Sequence, residues 1–141
     1  DARLHTAIRR FTGSLFLSPA HQGRMERLKA REGFRRKRDP LAYFAAIYLL
    51  TANDDLFLRS ANCFCRHGIE FDYGTLKDIS LHCYTLFSAA RDIYAEGSGV
   101  ALADLANSEV VDTLAFSLIV NALLVARYGP AVLEIKERSR K

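Results

Sequence analysis

Apolar positions recur at helical spacing along most of the chain, and one long stretch is apolar on nearly every side. This stretch covers residues 109–128, and its inner part is interrupted by Ser117 and Asn121. A helix that is apolar all round is stable only where other elements cover it, and the run is shorter than the roughly 20 residues that a membrane span needs. The pattern therefore predicts a buried central helix, with Asn121 and Leu118 almost inaccessible to solvent.

Capping signals and the same periodicity predict further helices around this one. Ser18-Pro19 and Asp39-Pro40 each place a capping side chain before a proline, which marks the start of a helix. Elsewhere, apolar residues at helical spacing define the segments. The predicted helices are residues 4–11, 19–32, 41–52, 56–66, 76–95 and 102–106, and residues 69–73 are expected to form a loop. The expected caps are Asp54 or Asp55 for 56–66, Thr75 for 76–95, and Asn107 or Ser108 for the central helix.

These elements predict an all-α fold of six or seven helices around the helix at 109–128. Half of the residues are apolar and a quarter are charged, as in ordinary globular domains. A chain of 141 residues is also long enough to bury a sizeable core. The expected architecture is therefore a single domain over residues 1–141, with a basic N-terminal region at 1–40 and a short charged tail at 135–141.

The net charge of +4 is distributed unevenly along the chain. Residues 1–40 carry eleven Lys or Arg against four Asp or Glu (+7), residues 41–134 carry five against eleven (−6), and residues 135–141 carry four against one (+3). The sequence contains no positively charged start followed by an apolar stretch, which is the pattern expected of a signal peptide. Its three cysteines are an odd number, which does not fit the even number in a disulfide framework. A cytoplasmic protein with free thiols and no membrane partner is expected.

Three stretches resemble a pattern in a family of small uncharacterised helical proteins of Gram-positive bacteria, of the domain-of-unknown-function kind. They are Leu-Ser-Pro-x-His at 17–21, Tyr-Leu-Leu-Thr-Ala-Asn-Asp-Asp-Leu at 48–56, and Leu-Ile-Val-Asn-Ala-Leu-Leu-Val-Ala-Arg-Tyr-Gly at 118–129. These motifs are helix caps and core positions, and the family supplies no established activity. Such proteins are often encoded on phages and other mobile elements, so the resemblance implies an accessory or counter-defence role, such as an inhibitor.

Two basic segments are the leading candidates for a functional surface. They are Arg24, Arg27, Lys29 and Arg31 on the helix at 19–32, and Arg35, Arg36, Lys37 and Arg38 directly after it. Together they could neutralise several phosphates, whereas the alternative is a solvated helix face beside an exposed loop. The charge pattern predicts a non-enzymatic module that occupies a protein or nucleoprotein partner through this patch. The alternative function is a direct, sequence-nonspecific nucleic-acid binder.

Two further clusters contain residue types that can bind metals. Cys63, Cys65, His67, His82 and Cys83 are soft ligands, but they form no C-x-x-C pair, and on a helix Cys65 would point away from Cys63 and His67. Asp54, Asp55, Glu70 and Asp72 could converge on a divalent cation, which leaves a metal-dependent hydrolase as a third hypothesis. Buried thiols, helix caps and solvated loop charges are the expected roles, without a metal or cofactor.

Overall fold

The computed structural model describes residues 15–32, 40–66 and 68–133. Within these residues it contains six α-helices: α1 (Pro19–Glu32), α2 (Pro40–Leu50), α3 (Asp54–Arg59), α4 (Leu81–Ala95), α5 (Leu102–Leu105) and α6 (Thr113–Tyr128). The predicted all-α fold is confirmed. The helix expected at 4–11 and the tail at 135–141 lie outside the described residues. In the part of the chain that is described, no helix combines the length and the apolar character needed to cross a membrane.

The helix with neighbours on every side is α2. Each residue from Ala42 to Leu50 is buried, and α2 packs against both α4 and α6. After Pro40, every residue of this helix is apolar or aromatic, so no side of it can face water without exposing apolar surface. This is the environment that the sequence predicts for residues 109–128.

Helix α6, the last α-helix in the described part of the chain, is instead covered along one face. Its buried residues are Ala115, Leu118, Ile119, Ala122 and Val125, while Leu114, Phe116, Val120 and Leu123 are 46, 43, 37 and 48% exposed. The prediction that other elements cover this helix on every side is therefore not met, although Leu118 is buried as predicted.

Two details of α6 also differ from the prediction. The helix begins at Thr113, because the Asp112 carboxylate accepts a hydrogen bond from the Ala115 N–H at 2.8 Å and caps it there. Asn121 is half-buried, and its side-chain amide donates to the Tyr48 hydroxyl of α2 at 3.0 Å. The cap is thus neither Asn107 nor Ser108, and Asn121 is more accessible than expected.

The connection between α2 and α4 is less helical than the sequence suggests. Asn53, rather than either aspartate after it, caps α3 by accepting from the Leu56 N–H at 3.1 Å. A short hairpin follows, in which β1 (Phe64–Cys65) pairs antiparallel with β2 (Gly68–Ile69). Helix α4 begins at Leu81, where Ser80 accepts from the Cys83 N–H. The predicted helices at 56–66 and 76–95 are therefore shorter, and Thr75 is not a cap.

A contact with α4 explains why the chain turns into a hairpin. The Ile69 N–H donates to the Tyr94 hydroxyl at 3.2 Å, and a β-carbon at Gly68 would collide with that hydroxyl. Because Gly68 lets the backbone approach Tyr94 closely, the strand can donate a hydrogen bond to a residue far along the chain. Helical spacing in the local sequence carries no information about this partner.

Helix α1 is fixed to α2 through the buried side chain of His21. Its Nδ1 accepts from the Leu17 N–H at 3.1 Å, and its Nε2 lies 2.8 Å from the Tyr48 carbonyl oxygen. Because the Leu17 N–H can only donate, Nδ1 must be the acceptor, so Nε2 carries the hydrogen and donates to Tyr48. The ring is neutral in this arrangement, and burial lowers the pKa of His21 to about 4.

Candidate functional site

The outer surface of α1 is divided into two flanks that differ in charge. Arg27 and Arg31 are exposed and lie one turn apart on one flank. On the other flank, the Lys29 ammonium lies 3.4 Å from the Glu26 carboxylate and 5.5 Å from the centre of the Phe44 ring. Lys29 is thus partly neutralised by Glu26, whereas Arg27 and Arg31 lie on the other flank.

Arg24 belongs to the interior contacts of the fold, which corrects its assignment to the basic patch. Its Nε donates to the Thr51 carbonyl oxygen at 2.7 Å, its Nη2 donates to the Ala52 carbonyl oxygen at 3.2 Å, and the side chain is 12% exposed. Both carbonyls follow the last turn of α2, where backbone oxygens lack helical partners and a positive charge is favourable. Arg24 therefore acts as a C-terminal cap of α2.

Four residues of the predicted basic surface, Arg35, Arg36, Lys37 and Arg38, lie outside the described residues. Their sequence position places them a few residues beyond Arg31, the last exposed arginine of α1. Their contribution to the surface stays a prediction.

The thiols lie in a different setting from the one predicted. Cys63 ends a 3-10 turn and Cys65 lies in β1, so neither occupies a helix face that could be shared with His67, which is outside the described residues. The Cys63 thiol is buried and donates weakly to the Phe71 carbonyl oxygen at 3.9 Å. Burial, together with the nearby Cys65, Asp72 and Glu70, raises the pKa of Cys63 to about 11. A thiol of this kind is protonated at neutral pH and is therefore a poor nucleophile.

The acidic residues of the α3 region do not converge on one point. Asp55 accepts from the Arg59 Nε at 2.8 Å, one turn away on the same helix, and Arg59 also donates to the carbonyl oxygens of Thr75 and Lys77. Within residues 15–32, 40–66 and 68–133, no group of three or more His, Cys, Asp or Glu side chains is arranged to hold a metal ion. Asp54, Asp55, Glu70 and Asp72, which form the alternative cation site in the sequence, are therefore not brought together.

An exposed apolar stripe runs along α6, formed by Phe116, Val120 and Leu123. These residues follow the spacing of one helix face. Beside Leu123 the stripe opens into a groove of about 340 Å³ between α4, α5 and α6. The groove is lined mainly by apolar residues: Ala89, Ile93, Val100, Leu102, Leu105, Ile119 and Leu123, with Asp92 at one side. Leu102 stands at this groove with 84% of its surface exposed.

The sequence alone does not identify this surface, although the residues of the stripe belong to the continuous apolar stretch at 109–128. The pattern predicts that these residues are buried within the chain. Contiguous exposed apolar surface on a folded protein is typical of a place where another molecule binds. The stripe is therefore a second candidate for an interaction surface.

A polar pair borders the stripe at the beginning of α6. The His82 Nδ1 lies 2.7 Å from one oxygen of the Asp112 carboxylate, while the other oxygen accepts from the Ala115 N–H. Partial burial opposes ionisation of Asp112, but the hydrogen bonds from Ala115 and His82 outweigh it and hold the pKa of this carboxyl below its usual value. Asp112 is therefore a fixed negative charge at one end of the stripe.

Both candidate surfaces are formed by helix faces rather than by enclosed pockets with converging polar groups. Such surfaces are typical of binding modules. Comparison of the chain with protein-family models, with curated proteins and with solved structures finds no match.

Proposed function

We propose that the protein is a non-enzymatic module that binds a protein or nucleoprotein partner through its cationic N-terminal surface. The surface consists of Arg27 and Arg31 on α1, continued by residues 35–38 of the following segment. The observation that carries the proposal is the separation of charge on α1, since the acid Glu26 lies with Lys29 on the other flank. Arg27 is exposed on the flank opposite this pair, and its positive charge is suited to an anionic partner surface.

The proposal includes the accessory, inhibitor-like role that the family resemblance implies, in which the module acts by covering the partner's surface. It also includes a cytoplasmic setting. Cys63, Cys65 and Cys83 form no disulfide in the described part of the chain, which supports that setting because a reducing compartment keeps thiols from being oxidised to disulfides.

A direct nucleic-acid binder would use the same charges, and one feature separates it from the main proposal. Helix α1 contains no Phe, Tyr or Trp, and its one histidine, His21, is buried, so the flank offers no platform on which single-stranded bases could stack. Recognition through this flank alone would be limited to phosphates, whose binding weakens steeply with salt. A metal-dependent hydrolase at the α3 region has no such supporting observation, because Asp55 is paired with Arg59.

The test compares capture of partners from a lysate of the native host by three forms of the protein. They are the parent, the double variant Arg27→Glu/Arg31→Glu, and a control, Arg66→Glu/Lys77→Glu, with the same change in net charge on exposed residues elsewhere. We expect the parent and the control to capture the same partner and the flank variant to lose it. Equal capture by all three forms would contradict the proposal.

Two additions sharpen this test. Nuclease treatment of the lysate should leave capture of a protein partner intact, whereas loss of capture together with salt-dependent binding to a random-sequence duplex would favour the nucleic-acid alternative. Reversing Arg35, Arg36, Lys37 and Arg38 to Glu should abolish binding while leaving the melting temperature nearly unchanged. If this quadruple variant binds like the parent, residues 35–38 are only a solvated connector.

A further inference from the structure

The apolar stripe of α6 is distinct from the cationic surface, and it is flanked by opposite charges. Phe116, Val120 and Leu123 form the apolar part. Asp112 lies at the beginning of the helix on this side, and Arg127, which is exposed, lies in its last turn on the same side. A ligand that is apolar in the middle and carries a positive charge opposite Asp112 and a negative charge opposite Arg127 therefore matches this surface.

The α6 stripe of a second copy meets this requirement when the two helices run in opposite directions. Seven residues separate Val120 from Thr113 on one side and from Arg127 on the other. Antiparallel pairing about Val120 therefore places Arg127 of each copy beside Thr113 and Asp112 of the other. A parallel pairing would bring Arg127 against Arg127 and would align the two helix dipoles unfavourably. Self-complementarity of this kind is what a two-fold interface requires.

We propose that the α6 stripe is the interface of a two-fold symmetric homodimer, in which two antiparallel α6 helices meet at Val120. Phe116 of each copy then lies beside Leu123 of the other copy and can enter the adjoining groove of about 340 Å³. Aromatic side chains inserted in apolar pockets are the usual energetic centres of protein interfaces. The symmetry supplies two such insertions for each dimer.

The dimer also explains why α6 is apolar on all sides. Its inner face is covered by the rest of its own chain, and the apolar stripe on its outer face would be covered by the second copy. The inference stands independently of the proposed function. If both the dimer and the proposed function hold, each dimer carries two cationic flanks. Its binding to a partner with two sites is then stronger, because the second flank binds at a high effective concentration once the first is bound.

The first experiment is sedimentation equilibrium of the full chain from about 1 to 100 µM, a range that covers ordinary homodimer affinities. We expect a monomer–dimer equilibrium for the parent. Val120→Asp places two like charges on the two-fold axis within an apolar contact, and we expect it to raise the dimer dissociation constant by roughly 100-fold or more. The matched control is Leu58→Asp, which changes an exposed leucine on α3 and should leave the dimer intact.

The second experiment uses a disulfide, so that the test does not depend on the folding of Val120→Asp. In a two-fold interface, a residue on the axis meets its own copy. Val120→Cys should therefore give a covalent dimer under mild oxidation that is at least tenfold more abundant than that of Leu58→Cys or of the parent with its native thiols.

Three outcomes would overturn the inference. One is a parent that stays monomeric up to about 100 µM, which would leave the stripe for an apolar helix of another protein. Another is a dimer that persists unchanged in a folded Val120→Asp variant. The third is a dimer in which Val120→Cys does not cross-link to itself, because the two-fold axis would then lie elsewhere.

Discussion

Helices α2 and α6 have similar sequences in one respect, since both are apolar around most of their circumference. Within the chain, however, α2 is covered on every side and α6 on one side only. The difference comes from position: α2 lies between α4 and α6 and beneath α1, while the outer face of α6 has no described element over it. All-round apolarity therefore indicates that a helix is to be covered, but it does not identify what covers it.

The largest expected effect compares the same substitution in the two helices. Leu49→Ala in α2 should lower the free energy of unfolding by about 2–5 kcal/mol, because it leaves a cavity in a site that is fully enclosed. Leu118→Ala, on the inner face of α6, should do the same. Leu123→Ala, on the outer face, should cost less than about 1 kcal/mol in the monomer. Urea denaturation at low protein concentration measures all three, and equal losses for Leu49→Ala and Leu123→Ala would remove the distinction between the helices.

The next effect concerns the buried histidine that fixes α1 to α2. The pKa of His21 is lowered in the folded state from 6.5 to about 4, so between these values the unfolded state binds more protons. Stability from this group is complete above about pH 6.5 and is lost as the pH falls to 4, by roughly 3 kcal/mol in total. Arg24, the nearest cation, adds to the lowering.

His21→Gln is the matched control for this pH dependence. Glutamine has one donor and one acceptor group and does not titrate, so it can replace both hydrogen bonds of the neutral ring. The difference in unfolding free energy between the parent and the variant should shrink steadily from pH 6.5 to 4. A difference that does not change with pH would show that His21 titrates normally.

A smaller effect separates two arginines of the same helix. Arg24→Ala should cost about 1.5–3 kcal/mol, because two carbonyl oxygens at the end of α2 lose a charged hydrogen-bond donor. Arg27→Ala should change stability by less than about 0.5 kcal/mol, since the side chain is exposed. The melting temperatures of both variants, compared with that of the parent, test this difference. An Arg24→Ala variant as stable as the parent would indicate that Arg24 belongs to the basic surface instead.

The smallest effect concerns the polar residue that joins α6 to α2. Asn121→Ala removes the bond to the Tyr48 hydroxyl and should cost about 1 kcal/mol, because the Asn121 amide is only partly shielded from water. Tyr48 should remain in place, as its hydroxyl also donates to the Leu15 carbonyl oxygen. A loss well above this value, measured by urea denaturation, would mean that Asn121 is as buried as the sequence pattern suggested.

Local chemistry in the sequence was sufficient for the class of the fold and for several helix ends. Ser18-Pro19 starts α1, with the serine hydroxyl accepting from the His21 N–H. The predicted ends of α4 at Ala95 and of α6 at Tyr128 are also correct, the latter before Gly129, whose φ of +96° suits a residue without a side chain. These features depend on contacts within a few residues, so they can be read from the chain itself.

The tertiary structure decided which apolar helix is enclosed and which arginine binds backbone carbonyl oxygens of another helix. Arg24 and Arg27 are the same residue type on one helix, but only Arg24 lies against the carbonyl oxygens of Thr51 and Ala52, 27 and 28 positions away in the chain. In the same way, α2 and α6 differ in burial because of where α1 and α4 pack. Periodicity records which side of a helix is apolar, whereas the distance to a residue far along the chain depends on the arrangement of all the elements together.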